Sequence, residues 1–137
     1  MTRRPSILFV CVRNAGRSQM AAAFARRMGG GRATVLSAGS DPAEAVHSSV
    51  VEAMKEVGID IAKERPRKLD PAVVLAADVV VTMGCGDACP AVPGKRRLEW
   101  KVADPAGQPL FRVRAVRDAL RDRVAERLDS LGVETIP

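Results

Sequence analysis

Two runs, Ile7-Leu8-Phe9-Val10 and Val79-Val80-Val81-Thr82, do most to limit the folds open to this chain. A strand with one wet face alternates apolar and polar residues. A strand that is apolar almost throughout is covered on both faces, which is the situation in parallel sheets. Helical spacing fills the intervals between such runs. Met20, Ala21, Ala23, Phe24 and Met28 follow Ser18 and are stopped by Gly29-Gly30-Gly31. Val46, Val50, Met54 and Val57 form a second apolar stripe, closed by Gly58. Asp70-Pro71 supplies a cap and a first-turn proline for a helix over 73–77, and Val113, Val116, Leu120, Val124 and Leu128 mark a long last helix. Shorter strands are expected at Thr34-Val35-Leu36, running into Ser37-Ala38-Gly39, and at Leu98-Glu99-Trp100, with a Gly/Cys/Pro-rich loop over 84–94. The alternation predicts an α/β fold whose parallel sheet is covered on both faces. Ligand sites in such sheets lie at the carboxyl ends of strands, where Cys11 and Cys85 fall.

At 137 residues the chain is expected to form one domain spanning 1–137. No apolar run approaches the roughly 20 residues that span a bilayer. The apolar stretch after the basic Met1-Thr2-Arg3-Arg4-Pro5 is shorter than the roughly 7–15 residues of a signal-peptide core, so the expected address is cytoplasmic, with no membrane partner. A net charge of +6 suits either nucleic acid or small oxyanions. Much of it comes from Arg112, Arg114, Arg117, Arg121, Arg123 and Arg127, interleaved with Asp118, Asp122 and Glu126 as on a solvated helix face. Aromatic residues are only 3% and Tyr is absent, which removes a base-stacking surface and with it nucleic acid as a partner. Trp100 and Phe111 are assigned to the core. Nothing in the pattern asks for a second copy, and a monomer is expected.

Three cysteines, Cys11, Cys85 and Cys89, are an odd number, which fits catalytic or redox thiols better than a disulfide framework. With His47 they make four zinc-type donors, but Cys85-x3-Cys89 has no partner Cys-x2-Cys pair, so no metal site is expected. Cys11 opens the segment Cys11-Val12-Arg13-Asn14-Ala15-Gly16-Arg17-Ser18, directly after the first buried run and directly before the first helix. A thiol is a nucleophile only as the thiolate. Converging backbone N–H groups with a helix N-terminus behind them favour that anion, and Ser18 can donate a hydroxyl hydrogen bond to the sulfur. Gly16 allows a tight loop. Arg17 can grip two oxygens of a tetrahedral anion through its planar fork. Residues 12–17 are therefore the candidate oxyanion cradle and Cys11 the candidate nucleophile.

Ile-Leu-Phe-Val-Cys-x-x-Asn-x-x-Arg-Ser resembles the signature of the low-molecular-weight protein tyrosine phosphatase fold, and Ser37-Ala38-Gly39, Thr82-Met83 and Asp104-Pro105 follow in the family's order. The resemblance covers essentially the whole chain. It implies a three-layer α/β/α architecture with a central four-stranded parallel sheet. It also implies that Asp104 protonates the departing oxygen, although an Asp before a Pro is on its own a turn former.

Two groups share this loop. Phosphatases, which hydrolyse phosphoesters through a cysteinyl-phosphate intermediate, carry aromatic residues after Asp-Pro; here the run is Asp104-Pro105-Ala106-Gly107. Thioredoxin-coupled arsenate reductases carry Asp-Pro-Ala-Gly and two further cysteines, one flanked by proline, as in Cys89-Pro90. Gln19-Met20-Ala21 is also similar to the reductases. The resemblance implies arsenate reduction, as in arsenic detoxification. Cys11 attacks arsenate, Cys85 attacks Cys11 and releases arsenite, and Cys89 carries the disulfide onward to thioredoxin. No metal or organic cofactor is implied. Cys85 and Cys89 stand closer together than in typical thioredoxin-coupled members. A route through a mycothiol/glutaredoxin-like reductant, with hydrolysis of phosphoesters as the competing activity, stays open.

Overall fold

The computed structural model describes residues 4–84 and 96–135. Its elements run β1 (Ser6–Cys11), α1 (Arg17–Gly29), β2 (Thr34–Gly39), α2 (Ser48–Glu56), α3 (Pro71–Ala76), β3 (Val79–Thr82), β4 (Arg96–Glu99) and α4 (Leu110–Ser130). The four strands form one sheet in the order β2-β1-β3-β4, parallel throughout. The expected four-stranded parallel sheet between helical layers is present.

Side chains of a strand alternate between faces, and β1 shows why both its faces are apolar. Ile7, Phe9 and Cys11 join the larger core, which takes in α1, α2 and α4. Leu8 and Val10 face the other way into a smaller core with Ala38, Val74, Ala77 and Val80 beneath α3. Every one of those β1 side chains is at most 3% exposed. Full burial of each large one contributes about 1.5–3 kcal/mol. The Phe9 and Trp100 rings meet at 5.9 Å between centroids and 53° between planes, tying the central strand to the chain beyond β4.

Local signals account for most boundaries. Gly30 adopts φ 55° and returns its N–H to Arg26 O, which ends α1. Asp70 caps α3 by accepting from the N–H of Ala72. Two expectations shift. The second stripe starts at Val46, yet α2 begins at Ser48 because His47 is its N-cap, with the extended ψ of 135°. The last strand runs over Arg96–Glu99 rather than 98–100, since its register follows β3 from Val79↔Arg96 to Thr82↔Glu99. A charged edge strand of this kind resists pairing with another chain.

Phe111 is the clear correction to the expected core. It is 63% exposed, with the Arg112 guanidinium 5.3 Å from its ring centroid. The inward face of α4 carries Val113, Val116, Leu120, Val124 and Leu128, and position 111 falls outside that stripe. Trp100 is buried as expected.

A clamp of ion pairs joins α2 to α4. Glu56 accepts from Arg114 Nε at 2.9 Å and Nη2 at 2.6 Å, and from Arg117 Nη1 at 2.9 Å. Arg117 Nη1 also caps the Ala53 carbonyl at 2.9 Å. The Arg114 guanidinium, helped by Arg117 and opposed by desolvation, holds the Glu56 carboxyl down at about 2. The same pairing raises Arg114.

Candidate active site

The parallel register brings four strand ends to one edge. Cys11 is paired with Gly39, Val10 with Thr82, and Thr82 with Glu99. The chain leaves β1 for β2 on one side and later returns as β3 on the other. This makes the carboxyl end of β1 the switch point where open α/β sheets bind ligands.

Residues 12–16 curl over that end and lead into α1. Their carbonyls are pulled outward by the segment that follows β2. Ser40 N donates to Cys11 O at 3.3 Å, Asp41 N to Val12 O at 2.8 Å, Ala43 N to Arg13 O at 2.9 Å and His47 N to Ala15 O at 3.0 Å. With the carbonyls so held, the N–H groups of residues 12–16 donate no hydrogen bond among the described residues. Together with the first N–H groups of α1, they are donors left available to an anion. The loop residue in the left-handed region is Asn14, at φ 49°, rather than Gly16. Asn tolerates this conformation better than most residues. Gly16 serves contact instead: a Cβ there would lie 3.1 Å from Pro105 Cγ and 3.6 Å from His47 Cδ2.

Cys11 is 3% exposed, and its Sγ lies 2.9 Å from Ser18 Oγ. The neighbours of Ser18 show how it can serve the sulfur. Arg67 N–H, which can only donate, reaches Asn14 Oδ1 at 2.9 Å, so Nδ2 is the end that donates to Ser18 Oγ at 2.7 Å. Ser18 Oγ thus receives a hydrogen from Asn14, which leaves its own hydrogen free to be donated to the sulfur, the polarity a thiolate needs. Gln19 Nε2 completes the network by donating to Asn14 O at 3.1 Å and Asn14 Oδ1 at 3.2 Å. All three polar residues are at most 2% exposed.

Arg17 is the first residue of α1. Its Nη1 donates to Val102 O at 3.1 Å, and its Nη2 faces Asp104 Oδ2 at 3.7 Å. Asp104 Oδ1 accepts the Ala106 N–H at 3.0 Å, a turn that aims the second carboxylate oxygen at the arginine. Asp104 is well exposed and Arg17 nearly buried, with side-chain exposures of 60% and 10%. Arg13 points outward and pairs with Asp41 at 2.8 Å, on the rim.

The structure thus brings together Cys11, Arg17, Ser18 and Asp104 around the loop of residues 12–16. Cys85 and Cys89 lie outside the described residues. Sequence reading missed the part played by residues 40–47, by the Arg67 backbone and by two glycines. At Gly39 a Cβ would stand 2.6 Å from Val12 O and 3.0 Å from Asn14 N, so the loop can cross β2 only over a bare Cα. The motif Ser37-Ala38-Gly39 was a signal for this, but its partner could not be read from it. Gly84 packs against Arg17.

Known proteins resemble this chain over most of its length. The family described as low molecular weight phosphotyrosine protein phosphatase matches residues 6–135. Arsenate reductase 1 of Bacillus cereus is 39% identical over 128 residues, covering 90% of this chain and 94% of that protein. A thioredoxin-dependent arsenate reductase of Corynebacterium glutamicum superposes with a TM-score of 0.82 at 39% identity, over 93% of this chain and 62% of that one. An arsenate reductase solved in its phosphate-binding state gives a TM-score of 0.82 at 32% identity, over 92% of this chain and 98% of that one.

Proposed function

The chain belongs to the low-molecular-weight phosphotyrosine protein phosphatase family, and on that premise we propose that it reduces arsenate to arsenite with thiols. The observation that carries the reading is the meeting of Cys11, Ser18, Arg17 and Asp104 at the carboxyl end of β1. Reduction rather than hydrolysis is favoured by the residues around this meeting point. Asp104-Pro105 is followed by Ala106-Gly107 with no ring to pack on an aryl ester, and two further thiols, Cys85 and Cys89, are present in the chain. The names of its relatives point the same way.

The chemistry follows from the side chains. The Cys11 thiolate attacks the arsenic of arsenate held by the loop N–H groups and Arg17. A hydroxyl of the arsenate leaves as water, taking one proton from Asp104, and a Cys11 S–As(V) bond remains. The Cys85 thiolate then attacks Cys11 Sγ. The S–As bond breaks with its electron pair staying on arsenic, which departs as arsenite, As(III), while Cys11 and Cys85 become a disulfide. Cys89 attacks Cys85 Sγ, freeing Cys11 and leaving a Cys85–Cys89 disulfide for an external dithiol of the thioredoxin type. Two thiols are oxidised for each arsenic reduced, and no metal or organic cofactor takes part. We place the protein, as a monomer, among the thiol reductants of the cytoplasm; no described helix is long and apolar enough to cross a membrane.

The test supplies arsenate, thioredoxin, thioredoxin reductase and NADPH and follows NADPH loss. Arsenate-dependent oxidation is expected, and Cys85→Ser and Cys89→Ser should each abolish multiple turnover. Full turnover in either variant would sink the relay. Turnover only with a mycothiol/glutaredoxin-like system would reassign the reductant. No arsenate-dependent oxidation with either, together with brisk hydrolysis of p-nitrophenyl phosphate, would turn the reading to phosphatase.

A further inference from the structure

Gly84 lies two residues past β3 at φ 74°. A Cβ built there would collide with Arg17 Nη1 and would lie 3.1 Å from Cζ and 3.2 Å from Nη2. Three guanidinium atoms therefore rest against the bare Cα. The guanidinium also reaches Val102 O through Nη1 and Asp104 through Nη2. Three separate parts of the chain thus meet at one side chain: the loop that opens α1, the turn after β3, and the segment of residues 102–104.

We propose that Gly84 is a positioning residue for Arg17, the missing side chain being what lets the guanidinium lie where it can grip the oxyanion. The inference rests on the role given to Arg17 under the proposed function. A simpler account is that Gly84 is needed only for its positive φ. The two accounts part at asparagine, which tolerates the left-handed region but carries a Cβ. They also part on where the damage falls. The atoms in the way belong to the flexible end of an arginine and not to backbone. The fold can therefore relieve the clash by swinging Arg17 aside, at the expense of anion binding.

The experiment compares Gly84→Asn and Gly84→Ala with the wild type, each also in an Arg17→Lys background. It measures orthophosphate affinity by calorimetry and arsenate kcat and KM, with thermal unfolding alongside. Gly84→Asn should bind phosphate roughly ten- to hundredfold more weakly, the range for losing a hydrogen bond to a charged partner, while unfolding near the wild-type temperature. KM for arsenate should rise by a similar factor. Lysine presents no guanidinium to residue 84, so in that background the substitution should change affinity little. Wild-type affinity in Gly84→Asn would overturn the inference, as would equal losses in both backgrounds. Unfolding of both single variants would also overturn it, because the cost would then lie in the fold. Failure of the wild type to bind phosphate, or wild-type affinity in Arg17→Lys with Gly84 intact, would instead remove the assigned role of Arg17.

Discussion

Removing the Ser18 hydroxyl tests the chain of hydrogen bonds that ends on Cys11, the proposed nucleophile. Ser18 Oγ has two partners, Asn14 Nδ2 at 2.7 Å and Cys11 Sγ at 2.9 Å. Ser18→Ala deletes a donor to a thiolate, and hydrogen bonds to charged groups are worth about 1.5–3 kcal/mol, or roughly ten- to hundredfold in the rate of a step that needs the anion. It also leaves Asn14 Nδ2 buried and unpaired, which costs about 1–3 kcal/mol of stability and lowers Tm by roughly 3–10 °C for a domain of this size. The clean assay is iodoacetamide alkylation in a Cys85→Ser, Cys89→Ser background, where Cys11 is the sole thiol, read at one fixed pH. Asn14→Gly makes the same test one step upstream. Glycine keeps the positive φ, so only the side-chain amide is lost. It should slow alkylation by a smaller factor, and in the Ser18→Ala background it should add almost nothing, because its effect passes through Ser18. An unchanged alkylation rate in Ser18→Ala, or fully additive losses in the double variant, would refute the reasoning.

Gly39→Ala should lower Tm by roughly 3–10 °C and weaken phosphate binding, because its Cβ meets Val12 O and Asn14 N, backbone that cannot swing away, and overpacking costs about 1–3 kcal/mol; a Tm equal to wild type would contradict the close approach. Glu56→Gln should show a pH-dependent deficit in urea midpoint. With the folded carboxyl held at about 2 against an ordinary 4.5, the stabilisation by Glu56 is fully present above 4.5 and is lost as pH falls toward 2. The variant should thus trail the wild type by a constant margin at neutral pH and draw level near pH 2, and a margin unchanged at that end would exclude the clamp as its source.

What the sequence disclosed depended on how local the controlling physics was. Residues 7–10 and 79–82 announce buried parallel strands because they are apolar throughout, and Asp70-Pro71 announces a helix start because both partners of the cap lie within two residues. The candidate loop was legible for the same reason, since Cys11, Arg17 and Ser18 belong to one short segment. Asn14 was not legible as the keystone of the hydrogen-bond network. Its orientation is decided by the N–H of Arg67, 53 residues away, and spacing carries no trace of that contact. The start of α2 was misplaced because an apolar stripe does not show that His47 is held extended as the cap. Phe111 was misplaced because apolarity alone does not say which side of α4 faces the sheet; only the stripe from Val113 to Leu128 does.

The four carbonyls drawn outward by residues 40–47 have a consequence for how chemistry is chosen in such a fold. They make the anion socket a property of main chain, indifferent to the side chains at 12, 13 and 15. Such a socket measures only shape and charge, and phosphate and arsenate are tetrahedral oxyanions of nearly the same size. Both should be captured and both should form a bond to Cys11. A phosphorus adduct has only water to release it, because a thiol cannot reduce phosphorus(V); an arsenic adduct can also yield its sulfur to a second thiol, which leaves the electron pair on arsenic. Whether capture ends in hydrolysis or reduction is thus decided by the element held and by the reach of a second thiol, with no change to the socket.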